Sequence, residues 1–514
     1  MKDDNSLVDL VANQPASPSS RDAAAWLRSI ESAILDALRA GAGDQIPSRL
    51  EQVGIAWPDH PRLLWLKALV LREIQTHEPA LIAAERAAAL AKDDPPSQAL
   101  FAQLRYETGR SAAAQFAVAC ALAPGDMALV RGHAGALAAE GDSDAALALM
   151  TAALDDHPDW IEGQTYRATL RRLAGTGARA DEGFAEALRT EPHNLALHLA
   201  RFHWLAKAKS WDDARAVLHD ANRACGDAGA LEVARLCLEA ESGAAADRPD
   251  LFDGLADRPD PGLALARVRH ALRCAAPERA VQIALAQLGS PSAPLFWPYL
   301  SIGWRLLGDD RAAWLDRPEQ FIHAADIGLD TQDLSDLADL LRTLHTATSP
   351  YPDQSVRGGT QTDRPLLFRH EPIIQRTRAA IEANVRDYID RLPAAEPGHP
   401  LLGTPRGEVK FAGSWSVRLH AQGFHVAHTH PVGWISSALH VALPDPAAMG
   451  KEPSGWLRFG MPPPELGLDL PPYCEIEPKV GRLILFPSTL WHGTVPFADG
   501  ERLSIAFDIR PPRR

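Results

Sequence analysis

The chain has 514 residues, 46% of them hydrophobic and 23% charged, with a formal net charge of −14 at pH 7. That length predicts about three domains, or an elongated array joined to a compact unit, with sizeable cores. The acidic balance excludes a nucleic-acid partner, because no basic excess is available to displace counterions from phosphates.

Residues 1–21 lack the apolar stretch of a signal peptide, and no later segment reaches 18 uninterrupted apolar residues. The expectation is a short disordered leader on a cytoplasmic protein with no membrane contact. Five cysteines (Cys120, Cys225, Cys237, Cys274 and Cys474) form no CxxC pair. Neither a disulfide framework nor a thiolate zinc site is indicated, and buried or half-buried free thiols are expected.

Residues 22–345 are rich in Ala, Leu and Arg, with apolar positions at helical spacing and regular breaks at "HP", "PP" and "EP". Pro61, Pro95, Pro124, Pro158 and Pro192 follow one another at 34, 29, 34 and 34 residues. A 34-residue period is that of the tetratricopeptide repeat. In "MALVRGHAGALAAEGDSDAALALMTAALDDHP" a first helix ends near Gly141, and a second places Ala145, Leu149 and Ala153 on one side. Small residues at such crossings let paired helices approach closely. Residues 60–225 resemble tetratricopeptide repeats on this evidence, and beyond Cys225 the helical rhythm continues while the period blurs. Solenoids of this kind offer a concave surface to a peptide or protein; the alternative is a plain structural spacer.

Near residue 350 the composition turns to Gly, Pro, Thr and aromatic residues, which predicts a second domain over 346–514. One more helix, "PIIQRTRAAIEANVRDYIDRLP", precedes the alternating segments "GSWSVRLHAQG", "WISSALHVALP", "SGWLRFG", "RLILFP" and "RLSIAFDI". Short strands with tight turns predict an antiparallel barrel or jelly roll. Strand parity puts Ser436, Ala438 and His440 on one face, and likewise Arg502, Ser504, Ala506 and Asp508.

The chemistry concentrates in "FHVAHTHPVGW", residues 424–434. His428 and His430 form an i, i+2 pair, so on a strand both rings project to one side and can reach one ion at roughly 2 Å. A distant His492 follows an apolar strand, and Arg502 and Ser504 come after it. Three protein ligands leave metal positions open for a chelating keto acid and dioxygen, while a planar guanidinium and a hydroxyl suit that acid's far carboxylate. Nucleophilic catalysis finds no support, since there is no GxSxG and no cysteine near the histidines.

The C-terminal part resembles the 2-oxoglutarate- and iron(II)-dependent oxygenase family that is often fused to tetratricopeptide repeats. The motifs carrying the resemblance are "QSVRGGTQT" at 354–362, "HTHPVGWIS" at 428–436, "SGWLRFG" at 454–460 and "VGRLILFPSTLWHGTVPF" at 480–497 with "ERLSIAFDI" after it. The resemblance implies a double-stranded β-helix behind a helical solenoid, Fe(II) near His428, and 2-oxoglutarate held by Arg502 with Ser504. It also implies a hydroxylation whose peptide or protein substrate the repeats would deliver. His440 lies where the family tends to carry Tyr, so it is a further candidate for 2-oxoglutarate, or else a pocket-wall histidine.

Position 430 departs from the wider superfamily, whose facial triad is His-x-Asp or His-x-Glu plus a distal His. Either His430 replaces the carboxylate, or His428 and His492 bind with water or a remote acid such as Asp445. The favoured ligands are His428, His430 and His492. His425, Trp434, Arg357 and Gln361 are candidates for the substrate or pocket wall, and no catalytic residue is expected beyond the metal and cosubstrate ligands. The competing reading is a repeat scaffold whose barrel is a pseudo-oxygenase or cupin-like metal-binding module.

Overall fold

The structure is a computed structural model that describes residues 4–20, 22–175, 180–255, 259–351 and 354–512. Chain contacts divide it into two compact units, one of residues 1–153 with 364–375, the other of 154–363 with 376–512. Among the described residues no helix is long and apolar enough to cross a membrane. All five cysteines are free and half-buried.

In the first unit, helical hairpins stack in sequence order, among them Pro61–Glu73 with His77–Leu90 and Pro95–Glu107 with Ala113–Leu122. Proline opens several first helices, where its missing N–H costs nothing. Asp94 and Asp126 cap the helices after them by accepting backbone N–H groups. Alanine fills the crossings, as at Ala68, Ala80, Ala84 and Ala102, all essentially buried. The expected leader is corrected here: Asp4–Ala12 is helical, and Leu7 joins the cluster around Trp26, whose Nε1 donates to the Leu10 carbonyl. Leu7, Leu10 and Val11 share one helical face, an amphipathic signal too short to stand out from the polar residues around it.

Between these hairpins a buried carboxylate ties neighbouring repeats together. Burial alone would raise the Glu107 carboxyl, but hydrogen bonds from Arg72, His77 and Gln103 outweigh it and hold the group at about 2. Its contribution to stability is therefore complete above the unfolded value of 4.5 and is lost as pH falls through about 2.

In the second unit the hairpins continue from Ile161–Leu173 to Arg311–Asp316 and then meet two sheets. The strands are β1 His323–Asp326, β2 Val356–Gln361, β3 Phe411–His425, β4 Ile435–Ala442, β5 Leu457–Phe459, β6 Cys474–Ile476, β7 Arg482–Pro487, β8 His492–Thr494 and β9 Arg502–Ile509. All pairings are antiparallel, in the orders β1-β7-β4-β9-β3-β2 and β6-β5-β8. This is the jelly-roll architecture expected of the C-terminal part. β1 lies within the stretch read as a helical solenoid; its four residues, HAAD, carry no β-branched side chain and pair at the sheet edge with β7. Leu466 and Trp491 of the sheet region join the core of helices Pro261–Arg273 and Trp297–Leu307, so the last helices and the sheets share one apolar interior.

Candidate metal centre

His428 and His492 are brought together by backbone before any side chain acts. They form an isolated antiparallel bridge, with His428 N–H donating to the His492 carbonyl at 2.9 Å and the reverse bond at 3.1 Å. Gly493 permits the approach, since a Cβ there would lie 2.9 Å from the His425 carbonyl oxygen. His430 is placed by its own N–H, which donates to the Ser488 carbonyl at 3.0 Å. Ring centroids lie 4.2 Å apart for His428 and His492, 5.0 Å for His428 and His430, and 5.1 Å for His430 and His492. A ligand atom from each comes within 4.8 Å of the others.

The hydrogen bonds behind the rings determine which nitrogen is free. His428 Nδ1 bonds the Val426 carbonyl at 2.8 Å, and His492 Nδ1 bonds the Leu490 carbonyl at 3.0 Å. A carbonyl only accepts, so each Nδ1 carries the proton and each Nε2 keeps its lone pair. His430 Nδ1 donates to Asp508 Oδ2 at 2.8 Å, and Trp415 stacks on the same ring at 5.7 Å. Burial, and then the neighbouring histidines, push His428 and His492 well below the ordinary imidazole range, which keeps both neutral. Three converging imidazoles, each oriented through its far nitrogen, fit a divalent cation.

Asp508 answers the missing carboxylate. It lies behind His430, and its Oδ1 accepts from Ser436 Oγ at 2.6 Å, which in turn is 2.8 Å from Ser488 Oγ. Asp445, by contrast, is exposed at the start of the short helix Pro446–Met449. Asp508→Ala is expected to weaken divalent-metal binding about 10–100-fold by releasing the His430 ring. Asp508→Asn keeps an acceptor and loses less; calorimetric metal titration of both variants checks the order.

Across the β4–β9 pair, His440 faces Ser504, and Arg502 lies two residues along the same face. Arg502 is 2% exposed, donates from Nη1 to the Gly455 carbonyl at 2.8 Å, and has Nη2 3.4 Å from His440 Nδ1. A guanidinium only donates, so His440 Nδ1 is bare and the proton sits on Nε2. That Nε2 and Arg502 Nε are both buried without a hydrogen-bond partner among the described residues. Burial brings Arg502 down to about 10, and burial followed by Arg502 and Arg482 keeps His440 neutral. Among the described residues Arg502 has no carboxylate partner, so the subsite combines a buried cation with an idle N–H donor.

Of the remaining candidates, His425 hydrogen-bonds Ser355 Oγ at 2.9 Å, and that oxygen is 3.3 Å from His428 Nε2. Burial, then Arg502, His430 and Arg357, lower His425 to about 3. Trp434 is a core anchor, its Nε1 donating to the Leu401 carbonyl at 3.0 Å. Arg357 lines a cavity that also takes in His428, whereas Gln361 pairs with Val417 at the far end of β2 and is not on that wall. Sequence reading missed Ser355, Trp415 and Asp508 as site residues. Asp508 carried a signal in the parity it shares with Arg502 and Ser504, and Ser355 in its place within "QSVRGGTQT".

Residues 413–508 match the family model described as "Putative 2OG-Fe(II) oxygenase". No curated protein matches the chain. Among solved structures, a prolyl-4-hydroxylase from Pseudomonas putida is 19% identical, covers 38% of this chain and 94% of its own, and has a TM-score of 0.28. A tetratricopeptide repeat protein from Parabacteroides merdae is 13% identical over 58% of this chain and 99% of its own, at a TM-score of 0.29. HygX from Streptomyces hygroscopicus, solved with nickel, 2-oxoglutarate and hygromycin B, is 10% identical over 38% of this chain and 84% of its own, at 0.25. The 413–508 segment that matches this family model contains the three histidines and Arg502, and a helical array precedes it in the chain.

Proposed function

We propose that the protein is a 2-oxoglutarate- and Fe(II)-dependent dioxygenase that hydroxylates a peptide or protein side chain delivered by the repeat array. The observation that carries this reading is the combination of two features in one sheet region: three converging imidazoles whose Nδ1 atoms are tied back to carbonyls or a carboxylate, and Arg502 buried with no carboxylate partner among the described residues. Burying a cation without a counter-charge is costly, and an incoming dicarboxylate relieves that cost.

In this reading His428, His430 and His492 hold the metal, and Asp508 steadies His430. Arg502 clamps the far carboxylate of 2-oxoglutarate, His440 Nε2–H donates to it, and Ser504 supplies a hydroxyl from the same face. Ferrous iron bound there would supply the chemistry by which dioxygen oxidises both partners, one oxygen atom entering succinate as 2-oxoglutarate loses carbon dioxide and the other entering the hydroxylated product. The walls of Phe459 and Phe486 beside His492 limit water around the site.

Anaerobic protein given iron(II) and 2-oxoglutarate is expected to show the weak visible charge-transfer band of the chelate, and to form succinate once air is admitted. Absence of both band and succinate would favour the scaffold reading instead.

A further inference from the structure

A cavity of about 970 Å³ opens beside His428. Its walls come from the inward faces of helices Leu195–Lys207, Gly229–Glu241 and Pro261–Arg273, together with Tyr299 and, from the sheet region, Val426 and Trp491. Ala206, Ala234 and Ala266 leave the room; Leu199, Phe202, Val233 and Leu263 make it apolar. That volume is at the upper end of what small-molecule sites enclose, roughly 300–1,000 Å³.

The charges on the wall are unequal. Five cationic side chains (Lys207, Lys209, Arg269, Arg273 and Arg357) meet three carboxylates, Glu241, Asp260 and Glu465. Arg269 and Arg273 share Glu241, and Lys209 pairs with Glu465. Asp260 is occupied in capping the helix after it, accepting from the Gly262 and Leu263 amides. Lys207 also has an interaction of its own. Arg357 differs from these. Its Nη1 donates to the neutral carbonyls of Gln354 and Val356 at 2.7 and 2.8 Å, and among the described residues it makes no ion pair. Both bonds use one nitrogen, so the Nε and Nη2 edge keeps the two parallel donors that grip a carboxylate. Arg357 follows Ser355 by two residues, and Ser355 bonds His428.

We propose that this chamber receives an apolar substrate bearing one carboxylate, with Arg357 clamping the carboxylate close to His428 and the helices enclosing the apolar body. The proposal rests on the oxygenase chemistry proposed above and assigns its substrate by chemistry, as an apolar acid. Such an acid could be free or could be an acidic residue in an apolar peptide segment. It also separates two arginines by task, Arg502 for the cosubstrate and Arg357 for the molecule oxidised.

The test uses two fluorescent probes that differ only in charge, dansyl-leucine and dansyl-leucinamide, titrated into the full-length iron-free protein. The acid is expected to bind about tenfold more tightly than the amide, the scale of one charge-assisted contact. Arg357→Gln should erase that preference and Arg357→Lys should keep part of it, while Ala206→Trp should weaken both probes by filling the chamber. Competition then distinguishes the sources. Displacement by acetyl-Leu-Ala-Asp-Ala-Leu-amide but not by its Asn counterpart assigns a protein segment, and displacement by free acids alone assigns a small molecule. Equal affinity of the wild type for the two probes overturns the proposal. So does loss of the iron and 2-oxoglutarate band in Arg357→Gln, which would move Arg357 onto the cosubstrate. The dye titration needs neither iron nor turnover, so its failure and the failure of the oxygenase reading are separate results.

Discussion

His492→Ala is expected to abolish useful divalent-metal affinity, a larger loss than the roughly 10–100-fold that follows removal of a partner behind a ligand. The expectation comes from how firmly this ring is held. Its backbone is locked to His428 by two hydrogen bonds, its Nδ1 is tied to Leu490, and Phe486 packs 4.6 Å from the ring centroid. The neighbouring His425 is already engaged with Ser355 and stacks on His428 rather than contributing to the convergent set. His425→Ala should therefore leave metal affinity within a few fold of wild type. His430 separates the two ligand sets considered from sequence. If it ligates, His430→Ala should fall with His492→Ala and His430→Asp should retain iron-dependent turnover; unchanged iron affinity in His430→Ala would remove it from the set. Titration with iron(II) under anaerobic conditions, or with nickel in air, measures all four variants.

The strands that carry these residues were readable because alternation is strong in them. "WISSALHVALP" and "RLSIAFDI" appear as β4 and β9, with His440 opposite Ser504 and Ser436 opposite Asp508 as parity demands. β6 and β8 were not readable as strands. At three residues each, Cys474–Ile476 and His492–Thr494 are too short to show a period, and they exist because β5 lies between them. "QSVRGGTQT" looked like a turn for its two glycines, yet it forms β2. Gly358 takes a positive φ of 68° at a shift in the register with β3, and a Cβ on Gly359 would collide with the Arg418 carbonyl, so both glycines belong to the strand. The metal pair shows the same limit in another form. His428 and His430 share a site as the i, i+2 spacing suggested, but His428 stands at a lone bridge beyond the end of β3, and its orientation comes from His492 and Val426. Parity could put Asp508 on the inner face; only tertiary pairing could put it behind His430.

Arg502→Met is expected to weaken 2-oxoglutarate binding about 100-fold, roughly the 3 kcal/mol that truncating a buried, hydrogen-bonded charge pair costs, and to leave metal affinity unchanged. The metal ligands lie on β8 and the turn after β3, while Arg502 is anchored separately through Gly455. The loss should appear as a raised KM for 2-oxoglutarate in succinate formation, with iron titration as the control. Equal loss of both affinities would contradict the role given to this arginine. Stability supplies a second, opposite expectation. Arg502 is a cation 2% exposed, and its Nε, like His440 Nε2, has no hydrogen-bond partner among the described residues. Methionine of similar volume removes the buried charge, so the ligand-free variant should melt at or above the wild-type temperature. Wild-type protein should gain stability as 2-oxoglutarate is added, because ligand bound to the folded state alone shifts unfolding by mass action. Arg502→Met should lose that gain. A residue that only held the strands together would do the reverse, lowering the ligand-free melting temperature and leaving the ligand-dependent shift in place.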